Sequence, residues 1–298
     1  MDLFLDQLAN GVSNGVIYAA VALSLVIIYR TTGLLNFAQG EMALFSACIT
    51  WWLTERGLGV WFALLISVAL AFVGGALLER LLIRPVMRTK NPLNVVIVTL
   101  GLFLGVNALA ALIFIKPGAE APIMPELFPD EIVLGPLHAD GPMLGLGLLL
   151  AATCLVLWAL LQKTKLGLAL RGVASNADSA ALVGIKPGQM LMIGWGLSAA
   201  LGAIAGTAAA STASNGAFDT SLMQQVLVYA FAAAALGGFD SLLGAVVGGL
   251  VVGIANSLTV QYVHALEGIE LVLPFGLILA VLLVRPNGLF GRNIVERV

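Results

Sequence analysis

Residues 8–29 read LANGVSNGVIYAAVALSLVIIY, a run of 22 residues without a charged side chain. A helix needs about 20 mostly apolar residues to cross the hydrocarbon core of a bilayer, so this run predicts a membrane-spanning helix. The whole chain has the same character, because 60% of its 298 residues are hydrophobic and only 10% are charged. So few charges cannot coat a soluble fold of this size, whereas lipid solvates apolar surface directly. The composition therefore excludes an ordinary soluble protein.

Further apolar runs predict an all-α, polytopic transmembrane bundle of eight or nine spans, forming one domain over residues 1–298. The predicted spans are 8–29, 34–54, 58–80, 93–115, 143–161, 190–212, 222–237, 242–262 and 271–284. The seventh span is short and the second contains Asn36, Gln39 and Glu41, so either can be a broken or re-entrant helix. The first residues lack a basic region and a small-residue cleavage site, so the first span is expected to be retained.

Basic residues predict the orientation, because short loops rich in Lys and Arg stay on the cytoplasmic side. With the N-terminus outside and the C-terminus inside, 12 of the 14 basic residues fall inside, and only Arg56 and Lys116 fall outside. Segment 116–142, with five acidic residues against one basic residue, is then an external acidic loop. It is either a solvated connector or a contact for an external partner. The net charge of −2 provides no basic field, so nucleic acid is not expected as a partner.

Glycines at four-residue spacing predict where helices pack closely. The pairs are Gly101 with Gly105, Gly202 with Gly206, Gly244 with Gly248, and Gly249 with Gly253. Cys48 and Cys154 lie in apolar runs and are expected to serve packing. His138 and His264 fall in predicted outer loops without metal-ligand spacing, so no metal site is predicted.

The second span contains the first candidate site. An ionisable side chain at the centre of a span costs roughly 2.5–3.5 kcal/mol on insertion scales, which makes Glu41 a candidate for function. Asn36, Gln39 and Gly40 lie within two turns of it, and a helix broken at the glycine could expose backbone groups to a zwitterionic solute. These four residues are predicted to line a substrate path. The alternative is that Glu41 lies near the inner interface and caps a helix.

A second candidate is the run Gly237-Gly238-Phe239-Asp240-Ser241 between two apolar spans, interpreted as a helix cap or gate. The Asp240 carboxylate suits the N-terminus of the following helix, through the helix dipole and N–H bonds. A role in binding a substrate or an ion is the alternative.

The connection 162–189 is too long for a turn and too polar to be buried, so it is predicted to contain a helix at the cytoplasmic surface. Ser175 and Asp178 fit a capping box, alanines at 174, 177, 180 and 181 favour helix, Gly184 can end it and Pro187 prevents its continuation. Small side chains would let this helix enter a groove on another protein. The alternative, a helix resting on lipid headgroups, calls for more bulky anchors. The chain has no GxxxxGK[ST] phosphate loop, so its energy comes from a partner or a gradient.

Taken together, these motifs resemble the LivH-type permeases of branched-chain amino acid ABC importers. The resemblance is carried by residues 11–23, 33–41, 171–176, 180–185, 237–249 and 285–291, and it covers essentially the whole chain. It implies a bacterial inner-membrane importer with a homologous second permease, two ATPase subunits that hold ATP and Mg, and an external binding protein. It implies no cofactor in this chain. It also implies that segment 162–189 couples to the ATPases through a set of residues that includes Arg171, Ala174, Asn176, Ala180, Ala181, Gly184 and Ile185.

The predicted function is the inward movement of branched-chain or other hydrophobic amino acids, without covalent chemistry in this chain. A permease of the same family for urea or another small polar solute is an alternative, and a gradient-driven carrier is a second. An intramembrane enzyme would need converging catalytic groups, and the sequence shows no such pair.

Overall fold

The computed structural model describes residues 2–89, 91–115, 118, 120–129, 131–134, 137–213, 216–263, 269 and 271–291. Lys116 and His264, named above, lie outside these ranges, as do Lys90, Arg292 and Arg297 of the basic residues predicted inside and Asp130 of the acidic segment 116–142. The described helices are α1 (Asp2–Thr32), α2 (Gln39–Thr54), α3 (Val60–Leu78), α4 (Arg84–Met87), α5 (Pro92–Ile113), α6 (Gly141–Lys163), α7 (Lys165–Ser175), α8 (Ala177–Leu182), α9 (Pro187–Thr212), α10 (Leu222–Gly237), α11 (Leu242–Tyr262) and α12 (Val272–Val284).

The predicted helical bundle is confirmed. Within the described ranges, six helical stretches are long and apolar enough to cross a membrane: Phe4–Thr32, Val60–Met87, Leu93–Ile113, Gly141–Lys163, Pro187–Thr212 and Leu242–Tyr262. Shorter apolar helices cover Leu222–Gly237 and Val272–Val281. The short α2 lies between the first two long helices.

One element departs from the all-α prediction. Strands β1 (Glu131–Leu134) and β2 (Leu137–Asp140) pair antiparallel, with Glu131 opposite Asp140. They lie inside the predicted acidic loop, and α6 begins directly after β2. Such a short hairpin leaves little trace in hydropathy, because its residues neither form an apolar run nor alternate over a long stretch. His138, predicted to be in a loop, is a residue of β2.

The α1–α11 pair shows how glycine brings the spans together. A Cβ on Gly249 would lie 2.5 Å from Ala19 Cα, and one on Gly253 would overlap the backbone of Gly15. A Cβ on Gly15 would in turn lie 2.9 Å from Leu250 Cα. The two backbones therefore touch where only glycine fits, as expected for helices that associate without a hydrophobic driving force.

Two more of the predicted glycine pairs serve the same purpose. Gly244 and Gly248 face the backbone of α10, and Gly202 and Gly206 face α2. Within the described part of this chain the prediction does not hold for Gly101 and Gly105, since a Cβ at either position would meet nothing within 4 Å. The sequence spacing is the same in all four pairs, but α5 turns these glycines away from the rest of the chain.

α3 is extended by a π-helical segment, Glu79–Ile83, that leads into α4. Pro85 accounts for this irregularity. It has no N–H to donate to the carbonyl four residues earlier, and its ring crowds that carbonyl, so the backbone widens there rather than continuing as a regular α-helix.

Successive helices, apart from the short α4, α7 and α8, run in opposite directions along the bundle. We call the end where α1 begins the N-terminal end, and the opposite one the C-terminal end. Tyr29, near the end of α1, contacts the Phe239 ring at 5.3 Å, which places the α10–α11 connection at the C-terminal end. Leu289 N–H donates to Leu236 O at 2.8 Å, so the last described residues lie there too.

Candidate functional site

The break between α1 and α2 follows from two residues. Gly33 adopts φ +70° and its N–H donates to Tyr29 O at 2.7 Å, which ends α1 with a left-handed residue that favours glycine. Asn36 Oδ1 accepts a hydrogen bond from Ala38 N at 3.1 Å, forming a side-chain turn that leads into α2. The second span is therefore a helix that begins at Gln39, five residues later than predicted.

This start lies deep in the bundle. On α9, Gly194 faces Thr31 near the end of α1, while the carbonyl of Ser198 accepts a hydrogen bond from Gln39 at 3.1 Å. Ser198 lies 11 residues after Pro187, the first residue of α9, so at 1.5 Å per residue α2 begins about 16 Å along that helix. α9 is 26 residues long, or about 39 Å. The N-terminus of α2 therefore lies in the middle third of the bundle, as in the discontinuous helices of transporters.

Asn36 and Gln39 belong to a closed hydrogen-bond network. Asn36 Nδ2 donates to Gln39 Oε1 at 3.3 Å, and Ser198 Oγ lies 3.0 Å from the same oxygen. Ser198 Oγ also lies 2.8 Å from Ser24 O. All four side chains are buried, so this network fastens α2 to α1 and α9, and a solute could contact it only after these helices part.

Glu41 lies in a different environment on the same turn. Its side chain is 0% exposed, and Asn107 of α5 donates through Nδ2 to Glu41 Oε2 at 2.8 Å and to Thr220 O at 2.9 Å. Gln224 of α10 also interacts with this carboxylate. Oε1 accepts no well-formed hydrogen bond from the described residues. Glu41 thus faces a polar cluster formed by α2, α5 and α10, and Oε1 can still accept a hydrogen bond. Its position in the first turn of α2 favours the negative charge of the carboxylate through the helix dipole.

Gly40 brings α10 to this turn. A Cβ at Gly40 would lie 2.8 Å from Met223 O and 3.1 Å from Leu227 Cβ. The glycine is therefore needed for the close approach of α10. Neither Asn107 nor Gln224 is among the site residues predicted from the sequence. The signal available was that both are amides in otherwise apolar spans.

The predicted coupling segment folds as two short helices rather than one. α7 ends at Ser175, and α8 begins after Asn176, whose Oδ1 accepts from Ser179 N at 2.8 Å. The predicted cap, Ser175, is therefore wrong by one residue, because Asn176 is the residue with the extended backbone that an N-cap requires. Gly184, at φ +88°, follows α8 as predicted, and Pro187 opens α9.

Some of the predicted coupling residues are buried or hydrogen-bonded within the chain, and the others are exposed. Ala180 is buried, and its carbonyl accepts from Ile185 N at 3.1 Å; Arg171 donates to Gln162 Oε1 at 2.9 Å. Four of the predicted residues are exposed: Ala174, Asn176, Ala181 and Gly184. Beside them, Leu182 is 89% exposed and Val183 is 77% exposed. The C-terminal end therefore carries a small, partly apolar projection.

The predicted cap at Asp240 is also wrong. Asp240 is exposed, and Ser241 Oγ accepts from Gly244 N at 2.9 Å at the start of α11. Gly238, at φ +96°, comes next to the last described segment: a Cβ there would lie 2.7 Å from Asn287 O. Phe290 N donates to Gly237 O at 3.1 Å. The predicted cap or gate therefore holds residues 285–291 against the end of α10.

Sequence reasoning missed an ion pair at the C-terminal end. Arg84 donates through Nε to Glu79 Oε1 at 3.1 Å and through Nη2 to Glu79 Oε2 at 2.6 Å. It also donates to Gly188 O at 2.5 Å. Glu79 is completely buried. The pair ties the π-helical segment to the start of α9, directly after the coupling segment.

The described residues include no group of three or more His, Cys, Asp and Glu side chains arranged to hold a metal ion.

We compared the chain with protein families and with known proteins. A family model described as the permease component of branched-chain amino acid transport systems matches residues 7–282. The chain is 30% identical to the high-affinity branched-chain amino acid transport system permease protein LivH of Escherichia coli, over 99% of this chain and 98% of LivH. Identity and coverage are the same for BraD of Pseudomonas aeruginosa. The fructose import permease protein FruF of Bifidobacterium longum is 28% identical over 76% of this chain and 61% of FruF. No solved structure matches.

Proposed function

The chain belongs to the family of permease components of branched-chain amino acid transport systems, and from this premise we propose that it moves branched-chain or other hydrophobic amino acids inward as the membrane-spanning subunit of an ABC importer. A permease component is a transport subunit rather than an enzyme. Hydrolysis of ATP, with Mg, is therefore assigned to partner chains, and this chain carries no cofactor.

The observation that carries the proposal is the projection formed by α8. Leu182 and Val183 are almost fully exposed at the C-terminal end, beyond the spans. Exposed apolar side chains at such a position favour a protein contact, and two of them are fewer than the bulky anchors that a helix resting on lipid headgroups calls for. Two ATPase subunits are proposed as the chains that cover this end. A homologous second permease and an external binding protein complete the importer.

The proposed topology has nine crossings in a bacterial inner membrane, with the N-terminal end outside. It counts α1, α2, α3, α5, α6, α9, α10, α11 and α12 as crossings. An odd number agrees with the opposite positions of the first helix and the last described residues. The basic residues Arg30, Arg84, Lys163 and Arg171 cluster at the C-terminal end, which favours the cytoplasmic side for that end.

The proposed substrate path runs past the first turn of α2. Its support is the depth of that turn and the position of Glu41 Oε1, which accepts no well-formed hydrogen bond from the described residues and could accept one from an ammonium group. Asn36, Gln39 and Gly40 shape the same turn. In a complex that assembles normally, Glu41→Gln is expected to reduce amino acid uptake, while unchanged uptake would remove Glu41 from the path.

Co-purification tests the partner assignment. A complex isolated through a tag on this chain is expected to contain ATPase subunits, and Ala181→Glu on the exposed face of α8 is expected to remove them. Ala121→Glu, at an exposed alanine of the N-terminal end, is the matched control and should retain them. Equal retention by both variants would refute the docking site.

Uptake into proteoliposomes tests the transported solute. The whole complex, supplied with binding protein outside and ATP inside, is expected to accumulate leucine. Urea or fructose transported in place of leucine would favour the polar-solute alternative. Uptake by the purified chain alone, driven by a gradient and indifferent to ATP, would favour a secondary carrier.

A further inference from the structure

The N-terminal end of the bundle contains a cavity of about 890 Å³ that no part of the proposed substrate path uses. It opens between α1, α9 and α11, and segment 123–126 borders it. This volume lies within the range of about 300–1,000 Å³ that is usual for small-molecule sites. The first turn of α2 and Glu41 do not line it.

Polar side chains from three separate helices converge on this cavity. α1 contributes Gln7, Asn10, Ser13 and Asn14, which share one helical face because they are three or four residues apart. Ser211 and Thr212 at the end of α9, and Asn256 and Ser257 on α11, face the same space. A polar side chain in a span is costly unless it finds a partner or a water-filled space. Their convergence therefore indicates a space built for water and polar solutes.

Much of this polar lining is not used within the chain. Ser257 Oγ lies 2.9 Å from both Gln7 O and Gln7 Oε1, so these two residues join α11 to α1. In the described part of the structure, by contrast, Asn10, Ser13 and Asn14 make no side-chain hydrogen bonds, and Asn256 Oδ1 is buried without a partner. The amides and hydroxyls at this end therefore retain both donors and acceptors for a ligand.

The rest of the lining offers a carboxylate for the ammonium group of an amino acid and apolar surface for its side chain. The only ionisable residue among those lining the cavity in the described ranges is Glu126, whose exposed carboxylate would attract an ammonium group. Ile123, Met124 and Val260 supply apolar surface. Amide N–H and hydroxyl groups can donate to a carboxylate. An anionic or purely apolar solute would match only part of this arrangement.

We propose that this cavity is an external receiving site, in which a hydrophobic amino acid is held by its ammonium and carboxylate groups before it enters the substrate path. The inference rests on the proposed function, which supplies the class of solute and the external side. A binding protein also has to deliver its load at this end, so a loop of that protein is the competing occupant.

Cysteine protection separates the two occupants. In the whole complex carrying Cys154→Ala, Ser13→Cys is expected to react from outside with a membrane-impermeant methanethiosulfonate reagent, with modification followed by the mass of this chain. The native Cys48 is buried. At a leucine concentration about four times its Kd for the complex, modification is expected to slow by roughly fivefold, because only about one fifth of the sites remain free. Glu55→Cys, exposed at the same end but outside the cavity, is the control and should react at an unchanged rate.

Three results would overturn the inference. If Ser13→Cys is not modified from outside, the cavity is closed to that side. Equal modification with and without leucine would mean that no amino acid occupies it. Equal protection by leucine-loaded and leucine-free binding protein would assign the cavity to a loop of that protein.

A second variant distinguishes this inference from the proposed function. Asn14→Leu is expected to raise the KM for leucine uptake by about tenfold for the loss of one hydrogen bond to the solute, with the ATPase subunits retained. If the parent complex takes up no leucine, the proposed function fails. If the parent complex takes up leucine but neither the KM of Asn14→Leu nor the modification of Ser13→Cys responds, only the receiving site fails.

Discussion

Removal of the Arg84 guanidinium is expected to destabilise the complex, because Glu79 would be left buried without a cation. Arg84 holds both carboxylate oxygens and the Gly188 carbonyl. Breaking a fully buried ion pair on one side costs about 3–5 kcal/mol. The Arg84 side chain is 27% exposed, while that of Glu79 is 0% exposed, so partial solvation lowers our expectation for Arg84→Gln to about 2–4 kcal/mol.

A double-mutant cycle isolates the pair. Glu79→Gln alone leaves Arg84 in partial contact with water, so it is expected to cost only about 1–2 kcal/mol. The double variant Glu79→Gln/Arg84→Gln leaves no buried charge and is expected to be more stable than Arg84→Gln. Thermal unfolding of the purified complex, followed by the loss of helical signal, supplies the comparison, at roughly 2–4 °C for each kcal/mol. Strictly additive effects would refute the reasoning, since residues in direct contact should show coupling.

Three further outcomes are expected. Gly249→Ala should lower the thermal stability by about 1–3 kcal/mol through overpacking against α1, whereas Gly101→Ala, facing open space, should leave it unchanged or raise it slightly; similar losses in both would contradict the assigned packing. Ser241→Ala should cost about 1 kcal/mol by removing the α11 cap, and Asp240→Ala should cost much less, as measured by unfolding of the two variants side by side. Gly238→Ala should increase proteolysis of residues 285–291, because its φ of +96° and the nearby Asn287 carbonyl leave no room for a methyl group; unchanged cleavage would mean that the segment is held by other contacts.

The helices could be predicted closely because the apolar length of a helix is a local property. The predicted bounds 222–237 and 242–262 are those of α10 and α11. The N-cap residues were harder to predict. Ser175 and Asn176 are both good N-cap residues, as are Asp240 and Ser241, and sequence alone does not decide which of two neighbours adopts the extended backbone.

The partners of the spans could not be predicted, because they depend on which helix faces meet. Gly101 with Gly105 and Gly249 with Gly253 have the same spacing, yet only the second pair packs within this chain. Glu41 was singled out by its cost in a span, but its contact with Asn107, 66 residues away, follows from the arrangement of α2 beside α5. Glu79 lay at the edge of a predicted span, where a carboxylate reaches water easily, and the structure buries it instead.

The first turn of α2 combines two roles that its sequence does not separate. Asn36 and Gln39 spend their amide groups on each other and on Ser198, so they are suited to fixing the start of the helix. Glu41, two residues later, points to the other side and keeps one carboxylate oxygen without a hydrogen bond from the described residues. A group whose hydrogen-bonding capacity is already filled can bind a solute only by giving up a bond it has, whereas an unfilled acceptor gains one. Among the four residues predicted for the path, we therefore propose Glu41 as the one that contacts the solute, and Asn36, Gln39 and Gly40 as residues that hold the turn in place.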